Sequence, residues 1–167
     1  AQKQILDFIA GRLNVVLKDM GYKYDVVDAV LTEQSANPAA SARAVKQLQA
    51  WVGREDWSTI LPAFARCVRI TRDQEKTFKV DEKAFVEKEE KGLHQALQKA
   101  ASASRQAGSV DDFLGAFVPM IPSVNAFFDK VLVMAEDAKV KQNRLALVGQ
   151  IANLSRGIAD LSKLEGF

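Results

Sequence analysis

The side chains that most often do chemistry in enzymes are sparse in this sequence. The 167 residues include one histidine, His94, and one cysteine, Cys67. A Ser-His-Asp arrangement would need this histidine, and a Cys-His pair would need both residues. One cysteine and one histidine also cannot complete a zinc site alone. We therefore interpret His94 as a structural histidine and Cys67 as a small core residue, and we expect neither catalysis nor a cofactor in this chain.

Carboxylates are plentiful, but their sequence context does not favour an active site. The run "VEKEEKG" (86–92) is typical of a solvated charged face, and "VDDF" (110–113) is typical of a helix N-terminus. Neither GxGxxG nor GxxxxGK[ST] occurs, so the sequence has no glycine-rich phosphate loop of these types. A hydrolase built around His94 remains a distant alternative.

Three arginines have a more suggestive pattern. Arg66, Arg69 and Arg72 lie three residues apart in "PAFARCVRITRD" (62–73). At about 100° per residue they point away from an apolar sector roughly 120° wide. That sector contains Ile60, Leu61, Phe64, Cys67 and Val68. The planar guanidinium suits phosphates and base edges, and only Asp73 is placed to neutralise one of the three, Arg69. The face is either the solvated side of an amphipathic helix or a surface for a polyanion.

Four aromatic residues lie near predicted helix ends: Tyr22, Tyr24, Trp51 and Trp57. Such rings can stack on unpaired bases, or they can fix loops onto the core. The sequence leaves both interpretations open.

Composition limits the class of protein. Hydrophobic residues make up 48% and charged residues 26%, which is typical of a soluble globular protein of one domain or two small ones. No apolar run approaches the roughly 20 residues of a membrane span, and a lone cysteine fits a reducing compartment. Net charge is only +2, so a polyanion would have to use a local patch. We expect a cytoplasmic protein without a membrane partner.

Helical periodicity runs through most of the sequence and predicts an all-α bundle of about seven or eight helices. Helices are expected at 5–20, after a cap at Asp25, from Asn37-Pro38 to Gly53, at 56–74, at 87–103, within Phe113–Met134 (interrupted at Pro119 and Pro122), and at 138–157. Residues 75–86 lack a helical stripe, and "ASASRQAGS" (101–109) is the best candidate for an internal break. Ser109 with Asp112 resembles a capping box, and Pro62 should lie in a first turn or mark a kink.

Several segments are similar to one known family. "FIAGRLNVVLKDMGYKYDVVDAVL" (8–31), "ILPAFARCVRITRD" (60–73) and "NRLALVGQIANLSRGIADLSKLEGF" (143–167) resemble the C-terminal region of the beta subunit of bacterial glycyl-tRNA synthetase. "EDAKVKQNRLALV" (136–148) is similar to the segment that names the DALR anticodon-binding domain. Asp137-Ala138 match that motif, whereas Lys139-Val140 stand in place of Leu-Arg. "FARCVRI" also resembles the Ala-Arg helix of arginyl-tRNA synthetase.

The resemblance implies a single helical domain, residues 1–167, that recognises the anticodon region of tRNA for glycine. Because the sequence starts with Ala1, we expect a C-terminal fragment of a larger subunit. The resemblance also implies that aminoacylation, with ATP and glycine, belongs to the parent enzyme and its alpha subunit. No catalysis is expected in this fragment.

By the same resemblance, Arg66 matches the arginine of the Ala-Arg helix and is the first candidate for RNA contact. Arg69 and Arg72 extend that face, and Arg12 and Arg144 match further family positions. Arg12 and Arg144 could instead hold helix ends or carboxylates. The alternative function is a helical scaffold or subunit-docking domain that binds protein through "LGAFVPMIPSVNAFF" (114–128), if part of that segment is exposed.

Overall fold

The computed structural model describes all residues from 1 to 167 and contains α-helices and short 3-10 helices but no strand. The α-helices are α1 Gln2–Asp19, α2 Tyr24–Gln34, α3 Pro38–Val52, α4 Trp57–Thr71, α5 Lys88–Ser102, α6 Val110–Phe117, α7 Ile121–Lys130 and α8 Ala138–Ala152. The 3-10 helices are Glu82–Ala84, Val118–Met120, Asn153–Ser155 and Leu161–Lys163. The predicted all-α fold with seven or eight helices is confirmed. None of these helices is both long and apolar enough to cross a membrane.

The chain forms two compact units, each built from separated segments. The first unit comprises Ala1–Leu61, Arg105–Leu114 and Ser155–Phe167, and the second comprises Pro62–Ser104 and Gly115–Leu154. The first has 10 Lys and Arg against 11 Asp and Glu, and the second has 13 against 10. The net charges are therefore −1 and +3, which makes the second unit the more suitable one for an anion. A single domain with a break at 101–109 stays a prediction.

Local sequence signals account for several helix starts. Asn37 caps α3, because its Oδ1 accepts a hydrogen bond from the backbone N–H of Ala40 at 3.1 Å, and Pro38 is the first helical residue. Of the Ser109–Asp112 capping box only one half forms: Ser109 Oγ accepts from Asp112 N–H at 3.1 Å. The Asp112 carboxylate instead accepts from the N–H of Gln106.

The prediction for Pro119 is confirmed, and one of the two alternatives for Pro62, a place in the first turn, is excluded. Around Pro119, the 3-10 turn Val118–Met120 separates α6 from α7, so the long apolar segment is split as expected. Pro62 is the sixth residue of α4 and therefore lies inside the helix, beyond its first turn.

Asp25 is not the N-cap of α2, contrary to the prediction. The helix begins at Tyr24 with Lys23 as its N-cap residue. Asp25 lies buried in the first turn, where its Oδ2 accepts from the backbone N–H of Glu165 at 2.9 Å. A residue 140 positions away thus takes the carboxylate that the local pattern assigned to the helix end.

In the first unit, α2 packs against α1, α3 and the turn Leu161–Lys163. The C-terminal segment is fixed to it by hydrogen bonds: Asp160 N–H donates to the Ala29 carbonyl at 2.8 Å, and Gln34 Nε2 donates to the Ile158 carbonyl at 2.7 Å. By contrast, α1 buries only Leu17 and exposes several large apolar side chains. These include Ile5, Phe8, Ile9, Val15 and Val16.

In the second unit, α5 packs against α7 and α8. Phe64 and Phe117 meet edge to face, with ring centroids 5.3 Å apart, and both rings are fully buried. Such a pair adds about 0.5–1.5 kcal/mol to the hydrophobic term. This core fixes the inner side of α4 and so determines which side chains α4 presents to solvent.

Candidate nucleic-acid interface

The arginine helix has the two faces that its sequence predicts. Phe64 and Cys67 of α4 are buried, whereas Arg66 and Arg69 of the same helix are exposed. The helix ends at Thr71 rather than at the predicted residue 74, so Arg72, which is also exposed, lies in the turn just after α4. The three guanidinium groups therefore lie on the solvent side of the second unit.

Arg66 is held in place by an aromatic ring. Its Cζ lies 4.8 Å from the centroid of the Phe128 ring, over the ring face and within the range of a cation–π contact. Phe128 in turn meets the fully buried Phe127 edge to face at 5.5 Å. No carboxylate lies within ion-pair distance of Arg66, so its charge is positioned but not neutralised.

The segment after α4 carries exposed charges of both signs. Residues 75–86 form no α-helix, as predicted, and they expose Lys76, Lys79 and Lys83. Asn143 of α8 fixes this segment: its Oδ1 accepts from Asp81 N–H at 2.7 Å, and its Nδ2 donates to the Asp81 carbonyl at 3.0 Å. The side chain thus pairs with the backbone as a neighbouring strand would. Glu75, Asp81 and Glu82 are also exposed, so the three lysines are balanced and residues 75–86 carry no net charge.

Arg144 lies in the interior of the second unit. Its side chain is 8% exposed; Nε donates to Glu90 Oε1 at 3.0 Å, and Nη1 donates to the Leu132 carbonyl at 2.8 Å. The guanidinium therefore faces protein groups rather than solvent. This geometry supports the alternative that Arg144 holds a partner carboxylate.

Glu90 contradicts the interpretation of "VEKEEKG" as a fully solvated run, because its side chain is completely buried. Its Oε2 accepts from the backbone N–H groups of Val86 at 2.8 Å and Glu87 at 2.6 Å. Burial alone would raise the pKa of Glu90, but the hydrogen bonds from Arg144 and from these N–H groups outweigh it and lower the pKa. The sequence signal for this role was the position of Glu90 as the third residue of α5, where a capping-box glutamate accepts from backbone N–H groups before the helix.

The part of the DALR-like segment that matches the motif lies at the N-terminus of α8. Asp137 is the N-cap of α8, and its Oδ1 accepts from the backbone N–H groups of Lys139 at 2.9 Å and Val140 at 3.0 Å. Because both donors are backbone groups, the departure from Leu-Arg at these two positions leaves the cap intact.

Arg12 is exposed on α1 of the first unit. The tryptophans of that unit serve its own structure: Trp57 is buried, and Trp51 Nε1 donates to Asp111 Oδ1 at 2.9 Å. Tyr24 is 66% exposed. Among these aromatic candidates, Tyr24 has the most accessible ring.

Cys67 has the environment of a core residue, whereas the structural role of His94 stays a prediction, because its Nδ1 is buried without a hydrogen-bond partner. His94 Nε2 lies 3.0 Å from Glu82 Oε1, and its ring packs at a tilt against Phe85. Burial raises the pKa of the Cys67 thiol to about 12, so the thiolate form is suppressed. No group of three or more His, Cys, Asp or Glu side chains in residues 1–167 is arranged to hold a metal ion.

The segment 114–128, considered above for protein docking, supplies core side chains. Six of its large apolar residues are buried, namely Leu114, Phe117, Met120, Ile121, Val124 and Phe127, whereas Val118 and Phe128 are half-buried. The condition of that alternative, an exposed apolar surface on this segment, is not met by these residues.

Comparison with known proteins matches residues 60–161 to the DALR anticodon binding domain. The chain is similar to the glycine–tRNA ligase beta subunit of Moorella thermoacetica (35% identity over 166 residues) and of Citrifermentans bemidjiense (36% over 167 residues). Each match covers 98% of this chain and 24% of the relative. Glycine–tRNA ligase, chloroplastic/mitochondrial 2, of Arabidopsis thaliana is 32% identical over 167 residues, covering 99% of this chain and 16% of the plant protein. The chain thus spans about a quarter or less of the length of these relatives.

Proposed function

We propose that this chain, which belongs to the DALR anticodon binding domain family, recognises the anticodon region of tRNA for glycine. The observation that carries the proposal is an exposed set of arginines, Arg66 and Arg69 on α4 and Arg72 in the turn just after it. Arg66, Arg69 and Arg72 all lie in the matched region. Arg66 and Arg72 have no carboxylate within ion-pair distance, so their charge is available to a polyanion.

The mechanism is anchoring combined with base readout. Arginines contact phosphates of the anticodon stem and loop, which sets the orientation of the RNA but does not by itself distinguish sequences. Unpaired loop bases are then read along their edges and stacked on flat side chains. Arg12 stays a candidate for an additional contact. Arg144 contributes indirectly, by holding Glu90 and the start of α5.

At the level of the whole protein, the relatives' names support a role in a beta subunit of glycine–tRNA ligase. This chain then forms part of such a beta subunit, which acts in the cytoplasm together with an alpha subunit. ATP and glycine are then used by the assembled enzyme. Contacts made elsewhere in the assembly add to the affinity, so we expect the chain alone to bind tRNA weakly.

The test is binding of the chain to an anticodon stem-loop of glycine tRNA at several salt concentrations. Arg66→Ala should weaken binding and reduce the slope of log affinity against log salt by about 0.7 if one single-strand phosphate contact is lost. Arg54→Ala is the matched control: Arg54 also lies over a ring, that of Trp51, but Asp56 neutralises it with two hydrogen bonds. It should leave the slope unchanged.

Absence of salt-sensitive binding by the unmodified chain would contradict the proposal. Equal binding to a stem-loop with a changed anticodon would restrict the function to RNA binding without anticodon recognition.

A further inference from the structure

We infer that Phe128 is a positioning residue for Arg66, and that the two side chains form a stacking site for one unpaired RNA base. This inference rests on the proposed function, since it concerns the same face of the second unit. It names a residue of α7 that the arginine pattern of α4 does not contain, and it assigns a ligand class, a flat unpaired nucleobase.

The Phe128 ring packs against a buried neighbour. It meets Phe127 edge to face, with ring centroids 5.5 Å apart and an interplanar angle of 85°. Phe127 is fully buried, so the half-buried ring of Phe128 is supported from the core side. A supported ring can restrict a flexible arginine at low entropic cost to later binding.

The Phe128 ring covers one side of the Arg66 guanidinium, whose Cζ lies 4.8 Å from the ring centroid. The Arg66 side chain is otherwise exposed. A guanidinium offers a planar surface for stacking as well as edge N–H donors. Its uncovered side and its edge therefore remain available, the side for a base and the edge for a phosphate or a base acceptor.

Arg54 is a second arginine that lies over an aromatic ring, and it differs from Arg66 in having a carboxylate partner. Arg54 lies 4.2 Å over the Trp51 ring, but its Nε and Nη2 donate to the Asp56 carboxylate at 2.8 and 2.7 Å. The edge donors and the charge of Arg54 are thus used internally. Arg66 has the ring without the carboxylate, which is the arrangement expected of a cation held for an external ligand.

The experiment compares Phe128→Leu and Phe128→Tyr in stem-loop binding. The stem-loop carries the fluorescent base 2-aminopurine at one loop position at a time. Leu fills part of the space of the ring but cannot hold the guanidinium plane, whereas Tyr keeps the ring. We expect Phe128→Leu to lower affinity about tenfold, because stacking is lost, with an unchanged salt slope, because the charge remains. Phe128→Tyr should bind like the unmodified chain.

The fluorescence measurement uses a substitution at the exposed Arg66, so it does not require a change at the half-buried Phe128. Arg66→Lys alters only an exposed side chain and keeps the charge, but it removes the stacking plane. We expect the unmodified chain to quench 2-aminopurine at one loop position, and Arg66→Lys to lose that quenching while retaining the salt slope.

The outcomes separate the two proposals. If the unmodified chain does not bind the stem-loop, the proposed function fails and this inference fails with it. If it binds, but Phe128→Leu and Arg66→Lys keep its affinity and its quenching, RNA binding stands and the stacking site is wrong. Loss of affinity in Phe128→Leu, recovery in Phe128→Tyr and loss of quenching in Arg66→Lys together establish the site.

Discussion

Arg144 and Glu90 form a buried ion pair, with Nε and Oε1 3.0 Å apart, although 54 residues separate them in the sequence. The pair connects α8 to the start of α5, and Arg144 also binds the carbonyl of Leu132. Because both side chains are removed from water, each depends on the other for compensation of its charge.

Replacing Arg144 by Ala should destabilise the second unit by about 3–5 kcal/mol, because the Glu90 carboxylate would stay buried without its cation. Urea unfolding followed by circular dichroism measures the change. The control is Arg72→Ala, an exposed arginine, whose effect should stay within about 0.5 kcal/mol. Equal effects of the two variants would show that the buried pair has no special role.

Glu90 should make stability depend on pH in the acid range. Its pKa in the folded chain lies below the ordinary 4.5, so its contribution is fully present above pH 4.5 and is lost as the pH falls through the folded pKa. Unfolding free energies measured from pH 7 to pH 3 should therefore converge for the unmodified chain and Glu90→Gln. A constant difference across this range would mean that Glu90 does not titrate in it.

Replacing Asn143 by Ala should loosen residues 75–86 without unfolding the second unit. The backbone N–H and carbonyl of Asp81 would both lose their partner, at a cost of about 1–3 kcal/mol. Hydrogen exchange should then become faster at the Asp81 amide while the α5 amides stay protected. Gln142→Ala, which changes the exposed neighbour, should leave the Asp81 amide as it was.

Gly108→Ala should destabilise the first unit by about 1–3 kcal/mol, since φ at this position is +75° and a side chain is strained there. An added Cβ would also lie 2.6 Å from Gln34 Oε1, and the amide of Gln34 is fixed by the carbonyls of Gly108 and Ile158. Thermal unfolding checks the change. Gly11→Ala has free space within α1, so it should be neutral or stabilising.

The sequence was sufficient for several features that depend on neighbours in the chain. Asn37-Pro38 predicts its helix start because the cap and its donor are three residues apart. The outward direction of Arg66 follows from helical geometry and from the apolar residues beside it.

The sequence was insufficient wherever a polar side chain has a distant partner. Asp25 was misassigned because the N–H of Glu165 takes its carboxylate. Glu90 lies in a charged run that resembles a solvated face, and no nearby residue indicates that its ion-pair partner is Arg144 of α8. Likewise, the contact of Phe128 with Arg66 depends on how two helices pack, which periodicity alone does not determine.

The burial of Cys67 makes the chain well suited to site-directed spectroscopy. Its thiol is inaccessible and, with a pKa of about 12, almost entirely protonated at neutral pH, so maleimide reagents should not modify it in the folded state. No other cysteine is present. A probe attached through a thiol introduced beside Arg72 would therefore report from one known position, without prior removal of the native residue.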